Sequence, residues 1–151
     1  MRIGVPKEIK PQENRIGLTP ESVKILTSNG HEVLIENNGG YEAGFDNVQY
    51  KKSGAKIVNK AEDIFNDSEI IVKVKEPLTN EIKMIKENQI VFTYLHLAAG
   101  KQLTEGLIKS KSVCVAYETI TDNNGRLPLL APMSAVAGRM SVQAGAHCLE
   151  K

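Results

Sequence analysis

The sequence predicts an α/β fold built on a parallel sheet. Short runs rich in Ile and Val, such as IIVKV and QIVFTYL, alternate along the chain with stretches that have helical spacing. Alternation of this kind is typical of parallel strands joined by right-handed crossover helices. Turn residues separate the segments, and no internal repeat or low-complexity stretch interrupts them.

The composition is that of a globular protein with one core. The 151 residues are 41% hydrophobic and 25% charged, and 19 basic residues against 18 acidic ones give a net charge of +1. This balance argues against a nucleic-acid partner or an anionic membrane surface. The apolar runs are far shorter than the roughly 20 residues needed to cross a bilayer, and the N-terminus lacks a signal-peptide core. We therefore expect a cytoplasmic protein without a membrane partner.

The first elements are a strand, a polar loop and a helix. The segment RIGVP, at residues 2–6, is the predicted first strand, and Arg15 lies in the loop after it. Thr19 is the expected N-cap of the helix, Pro20 its first residue and Gly30 its stop. The second strand is HEVLIE, which is followed by a short helix, a short strand and another helix.

Two strands in the middle of the chain lead to ionisable side chains. The segment EIIVKVKEP predicts a buried strand that ends near Lys75, because Pro77 cannot continue the ladder. If this strand stays regular, Lys73 and Lys75 share one face. A helix over LTNEIKMIKEN is expected next, and then the strand QIVFTYL, which ends at His96. A further helix and the strand SVCVAY complete the alternation.

We expect a ligand site at the carboxyl ends of these strands, because ligands of open α/β sheets bind there. Arg15 offers a bidentate fork for a carboxylate. A lysine in an interior strand needs a partner, and histidine is the side chain best suited to exchange protons near neutral pH. Arg15, Lys75 and His96 together would suit a small anionic keto or amino acid.

Each of these side chains also has a purely structural interpretation. Arg15 could be a solvated surface charge, Lys75 an exposed lysine at a sheet edge, and His96 a hydrogen-bonded core residue. No second histidine or cysteine has metal-ligand spacing around His96, so we expect no metal site.

The tail predicts a turn, an irregular apolar segment and one long helix. Ser134 is the expected N-cap, and the helix is expected to continue to Lys151 without a glycine stop. A helix that stops within its pattern is typical of a chain that has been cut short. Its small residues also permit close helix packing, so an assembly role is a further possibility.

Long strings of the sequence resemble one enzyme family. They are RIGVPKEIKPQENRIGLTPESV, IIVKVKEP, TYLHLAA, AYETI and LPLLAPMSAVAGRMSVQAGAHCLEK. Over essentially the whole chain they resemble the amino-terminal part of bacterial alanine dehydrogenase, in the alanine dehydrogenase and transhydrogenase α-subunit family. The transhydrogenase α subunit resembles the opening segments, but it does not carry TYLHLAA and LPLLAPMS together.

The resemblance implies a two-domain NAD-dependent enzyme, usually a homohexamer, that interconverts L-alanine with pyruvate and ammonia. Its substrate domain would be a Rossmann-like (flavodoxin-like) sheet over residues 1–130. Residues 131–151 would begin a helix that leads to a dinucleotide-binding domain, which this sequence does not contain.

The matching motifs imply a role for each site residue. Arg15 in ENRIGLTP would bind the substrate carboxylate, Lys75 in KVKEP a substrate oxygen, and His96 in YLHLA would donate and accept the proton. Tyr94 and Met133 would shape the substrate pocket. Ser134 would contact the dinucleotide.

The sequence lacks the glycine-rich turn that seats a pyrophosphate. We therefore expect these 151 residues to be inactive alone, although they retain most of the substrate pocket. The alternative is a non-catalytic binding module, or an NAD(H)-binding protein similar to the transhydrogenase α subunit.

Overall fold

The chain folds around one sheet of six strands. The computed structural model describes residues 1–150, apart from the side chain of Ala99. The strands are β1 (Arg2–Val5), β2 (Glu32–Glu36), β3 (Lys56–Val58), β4 (Ile70–Val72), β5 (Ile90–Thr93) and β6 (Val113–Ala116). Their order is β3-β2-β1-β4-β5-β6. The pairs β1–β2, β1–β4, β2–β3 and β4–β5 are parallel, so the predicted fold class is confirmed.

Helices connect the strands. The α-helices are α1 (Pro20–Ser28), α2 (Asn47–Lys52), α3 (Ala61–Asp67), α4 (Thr79–Ile82), α5 (Lys101–Ser110) and α6 (Ala131–Leu149). Short 3₁₀ helices lie at Tyr41–Ala43, Leu97–Ala99 and Tyr117–Thr119. As predicted, α1 begins with Pro20 and its N-cap is Thr19. The Oγ1 of Thr19 accepts a hydrogen bond from the backbone N–H of Ser22.

The structure divides into two compact units, Met1–Val115 and Ala116–Lys151. The first contains β1 to β5 and α1 to α5. The second contains α6, and β6 lies at the boundary.

The core of the first unit lies where α1 and α2 cover the sheet. Val5, Val33 and Val23 are fully buried there, and so is Tyr50 of α2. The Tyr50 hydroxyl donates a hydrogen bond of 2.8 Å to the carbonyl of Leu18, and burial raises the pKa of Tyr50 to about 12. This bond fixes the end of the long loop between β1 and α1, which is the loop that carries Arg15.

The strands that lead to the predicted cations end earlier than predicted. β4 ends at Val72 and β5 at Thr93, so Lys75 and His96 each lie three residues beyond a strand. β4 stops because the Glu8 carboxylate, and not a neighbouring strand, accepts the backbone N–H of Lys75 and of the residue before it. Lys75 and His96 still lie in the segments that follow the carboxyl ends of β4 and β5.

α4 is also shorter than predicted, because it ends at Ile82. The backbone N–H groups of Met84 and Ile85 bond to the carbonyls three residues earlier, which tightens the chain into a 3₁₀-like turn. Asn88 then adopts a left-handed conformation with φ of 64° and redirects the chain into β5.

α6 begins three residues before the predicted N-cap. Its first residue is Ala131, Pro132 lies in the first turn, and the Ser134 N–H already bonds to the Leu130 carbonyl. Proline is favoured in the first turn because N–H groups at that position make no hydrogen bond within the helix, so its lack of an N–H costs nothing there. α6 ends at Leu149, and the predicted continuation to Lys151 lies outside the described residues. Within residues 1–150, no helix combines the length and apolar character of a membrane span.

Candidate functional site

The candidate site lies at the carboxyl-end edge of the central strands. Arg15 follows β1 in the chain, Lys75 follows β4, and His96 follows β5. These three strands are neighbours in the sheet, in the order β1-β4-β5, and they run parallel. Segments that leave parallel neighbours at the same end meet at one edge.

The loop after β4 is fixed by a buried cluster of charges. The Nζ of Lys73 lies 3.2 Å from Oε2 of Glu8 and 2.8 Å from Oε1 of Glu81. All three side chains are at most 3% exposed. Burying an ammonium group is expensive unless carboxylates compensate for its lost hydration, and here two do so. The condition under which Lys73 and Lys75 would share a strand face is not met, because β4 ends at Val72, and Lys73 belongs to the core.

The same cluster sets the backbone that carries Lys75. Oε1 of Glu8 accepts hydrogen bonds from the N–H of Val74 at 2.6 Å and from the N–H of Lys75 at 3.3 Å. On the other side, the Lys75 carbonyl accepts a bond of 2.8 Å from the hydroxyl of Thr93, which is fully buried at the end of β5. Lys75 is half-buried, and its main chain is held from both sides.

Arg15 forms a bidentate ion pair within its own loop. Its Nε and Nη2 donate to the two carboxylate oxygens of Glu13 at 2.7 and 2.6 Å, and its backbone N–H donates to the same side chain at 3.0 Å. The hydrogen bonds from the Arg15 side chain lower the pKa of the Glu13 carboxyl; burial opposes them, and the charges of Arg15 and Lys75 add to the lowering. Glu13 is thus an ionised carboxylate that the positive charges of both Arg15 and Lys75 stabilise.

A close backbone approach holds the Arg15 loop against β4. A Cβ atom at Gly17 would lie 2.7 Å from the carbonyl oxygen of Val72, the last residue of β4. That separation is shorter than a side chain tolerates against main-chain atoms. Only glycine permits the loop to lie this close to the strand end.

A second ionic group surrounds His96. Oε1 of Glu76 accepts a hydrogen bond from Nζ of Lys10, and Oε2 lies 3.5 Å from Nδ1 of His96. Burial raises the pKa of Glu76, but the hydrogen bond from Lys10, a backbone hydrogen bond and the charges of Lys10 and His96 outweigh it, so the net shift is downward. Because Glu76 directly follows Lys75, the Glu76–His96 group lies in the same loop as Lys75, whose backbone Glu8 holds.

His96 has an unusual main chain. Its φ of 46° and ψ of 41° lie in the left-handed region, which non-glycine residues seldom adopt outside functional or turn positions. The ring lies near that of Tyr94, with centroids 6.0 Å apart and planes tilted by 44°. Tyr94 itself is buried, and its N–H bonds to the carbonyl of Val74.

The structure thus groups some of the predicted residues and separates others by unit. The charges of Arg15 and Lys75 both lower the pKa of Glu13, and the rings of Tyr94 and His96 lie 6.0 Å apart between centroids. The other two predicted residues lie on α6 in the second unit: Met133, which is half-buried, and Ser134, which is exposed.

Sequence reasoning missed the carboxylates that organise the site. Glu13 is two residues before Arg15, and Glu76 directly follows Lys75, so acid–base proximity along the chain was the available signal. Glu8 gave no such signal, because its partner is 65 residues away. Among residues 1–150, no group of three or more His, Cys, Asp or Glu side chains could hold a metal ion.

The described residues do not form a cradle for a dinucleotide. In a doubly wound sheet the pyrophosphate would bind a glycine-rich turn between β1 and α1. Here that connection is a long polar loop, the first residue of α1 is Pro20, and the hydroxyl of Thr19 already accepts the hydrogen bond of the Ser22 N–H. This helix end therefore offers few backbone donors to a phosphate.

Comparison with known proteins gives a consistent result. The family described as "Alanine dehydrogenase/PNT, N-terminal domain" matches residues 4–137. The chain is 50% identical over its whole length to the alanine dehydrogenases of Halomonas elongata and Staphylococcus epidermidis. It spans only 41% and 40% of the length of those relatives.

Solved structures agree with the sequence matches. An L-alanine dehydrogenase superposes on 99% of this chain with a TM-score of 0.92 and 51% identity, and the match covers 41% of that protein. A transhydrogenase from Sinorhizobium meliloti superposes on 82% of this chain and 35% of its own, with a TM-score of 0.76 and 24% identity, and shares the fold. This chain therefore belongs to the alanine dehydrogenase/PNT family, whose N-terminal domain it matches over residues 4–137.

Proposed function

We propose that this chain forms the substrate-binding part of an NAD-dependent L-alanine dehydrogenase, which interconverts L-alanine with pyruvate and ammonia. The observation that carries the proposal is the arrangement of Arg15 and Lys75 around Glu13. Arginine and lysine are the side chains that bind small carboxylates, so the pair suits a monocarboxylate such as pyruvate or alanine. The likeness to alanine dehydrogenases at about 50% identity supports the same substrate.

Each side chain has a distinct task in this proposal. Glu13 accepts hydrogen bonds from Nε and Nη2 of Arg15 and orients the guanidinium, and the substrate carboxylate binds this guanidinium. This fixes the substrate's orientation, which is a large part of enzymatic rate enhancement. Lys75 stabilises negative charge on the substrate oxygen. His96 donates and accepts the proton, a contribution that is typically ~10²- to 10⁴-fold in rate.

The remaining roles follow from the family resemblance. Tyr94 and Met133 shape the substrate pocket, and Ser134 contacts the dinucleotide. NAD, when bound, supplies the hydride acceptor, and we assign its cradle to the part of the relatives that this chain does not span. In the whole protein, residues 1–130 form the substrate domain and α6 leads to the dinucleotide-binding domain. We infer that the whole protein is cytoplasmic and assembles as a homohexamer.

Ligand binding to the 151-residue chain tests this proposal. Calorimetric titration with pyruvate should give saturable binding, whereas acetate, which lacks the keto oxygen that Lys75 contacts, should bind more weakly. NADH oxidation in the presence of pyruvate and ammonium should be absent. Binding of NADH without binding of pyruvate would instead support an NAD(H)-binding protein of the transhydrogenase kind.

A further inference from the structure

We propose that Glu76 is the positioning residue of His96. In this assignment its carboxylate accepts the Nδ1–H of the imidazole, which fixes the ring tautomer and leaves Nε2 as the atom that exchanges the proton. The catalytic consequence rests on the proposed function, whereas the tautomer itself is a property of the chain alone.

The first observation is an unsatisfied carboxylate oxygen. Oε2 of Glu76 is buried and accepts no hydrogen bond from the described residues. A buried acceptor without a donor costs free energy, so such an atom in a folded protein needs an explanation. The Nδ1 atom of His96 lies only 3.5 Å away. That separation is at the outer limit of a hydrogen bond between a ring N–H and a carboxylate oxygen.

The second observation is that the carboxylate is held in place. Lys10 binds the other oxygen of Glu76, so the carboxylate cannot turn away from the histidine without breaking an ion pair. Lys10 also helps to keep the pKa of Glu76 low against the effect of burial. Glu76 is therefore an ionised acceptor with a fixed direction.

The third observation concerns the imidazole. The His96 main chain is fixed in the left-handed region at the start of a 3₁₀ helix, and its side chain is 40% exposed. A groove of about 550 Å³ opens beside it, lined by both Glu76 and His96.

These facts define how charge is handled at the site. When Nε2 takes a proton from the substrate, the imidazole becomes an imidazolium, and the Glu76 carboxylate stays ionised and balances the new charge. When Nε2 returns the proton, the Nδ1–H tautomer is restored. Charged groups of the described residues also lie close by: Lys10 of the β1–α1 loop binds Glu76, and Lys83 just after α4, Glu105 and Lys109 of α5 line the same groove.

Nitrogen-15 NMR of the imidazole in the 151-residue chain tests the assignment, because protonated and unprotonated ring nitrogens differ strongly in chemical shift. In the neutral form of the ring, wild-type His96 should carry its proton on Nδ1. In Glu76→Ala the preference should invert toward the Nε2–H form that free histidine favours. Glu76→Gln keeps one oxygen, which Lys10 binds, and presents its amide NH2 to Nδ1, so it should also shift the ring toward the Nε2–H form.

Glu105→Ala is the matched control, because Glu105 lines the same groove from α5 and its carboxylate pairs with Lys101 of the same helix. It should leave the tautomer unchanged. An Nε2–H wild type, or a Glu76→Ala variant that keeps the Nδ1–H form, would overturn the assignment. Since no substrate is present, either outcome is independent of whether the chain binds pyruvate.

Discussion

Nζ of Lys73 lies 3.2 Å from Oε2 of Glu8, in a part of the fold where neither side chain is more than 2% exposed. The other oxygen of Glu8 binds the backbone that leads to Lys75. One buried carboxylate thus compensates a core charge and also fixes the loop of the candidate site. Glu8 therefore links the stability of the core to the geometry of the candidate site.

Glu8→Ala should lower the free energy of unfolding by about 3 kcal/mol, the lower end of the range for a buried ion pair that loses one partner, because Glu81 still pairs with Lys73. Urea denaturation measures this change. The matched control is Glu87→Gln, whose partner Lys111 is exposed, and it should leave the midpoint close to that of the wild type. Equal effects of both variants would refute a structural role for the buried cluster.

Glu13 should make the protein more stable above the ordinary titration range of glutamate than below it. Its folded pKa is lower than the reference value of 4.5, so its contribution is fully present above that value and is lost as the pH falls through the folded pKa. Glu13→Gln should therefore show a smaller loss of unfolding free energy than the wild type between about pH 6 and about pH 3.

Glu36 provides a control of opposite sign. Burial raises the pKa of Glu36 against the effect of a hydrogen bond from Lys7 and nearby positive charges, so protonation favours the folded state at this position. Glu36→Gln removes that contribution and should steepen the loss of stability on acidification. If both variants changed the pH dependence in the same direction, the electrostatic assignment of Glu13 would be incorrect.

Gly17→Ala should weaken pyruvate binding, because the added Cβ would press on the Val72 carbonyl at 2.7 Å and displace the loop that carries Arg15. Calorimetry of the folded variant measures the change. Gly138→Ala is the control: Gly138 lies in α6 with open space around it, and alanine there should preserve binding and favour the helix. Unchanged affinity in Gly17→Ala would mean that this contact does not position Arg15.

The fold and part of the site were predictable from local sequence signals. Alternating segments predicted the parallel sheet, and Thr19 with Pro20 marked the start of α1, because capping depends on residues close together in the chain. The early end of β4 was not predictable in this way. It depends on Glu8, which reaches across 66 positions to the N–H of Val74.

The burial of Lys73 shows the same limit from another side. The sequence indicated that a lysine in an Ile/Val-rich strand needs a partner, but it did not identify Glu8 and Glu81 as those partners. The strand order around β1 brings them together. Likewise, the pairing of Glu76 with His96 depends on the adjacency of β4 and β5, which local pattern does not specify.

In the proposed site Arg15 and Lys75 bind the same small keto acid, and a double-mutant cycle for pyruvate binding measures whether they do. Arg15→Lys retains the charge and loses the fork, Lys75→Met removes the ammonium group, and calorimetry compares each with the double variant. If both side chains contact the same ligand, the losses should deviate from additivity by at least about 0.5 kcal/mol, while Arg15→Lys combined with Lys109→Met of α5 should be additive. Additive losses in the Arg15 and Lys75 cycle, or single variants that bind pyruvate as tightly as the wild type, would contradict it.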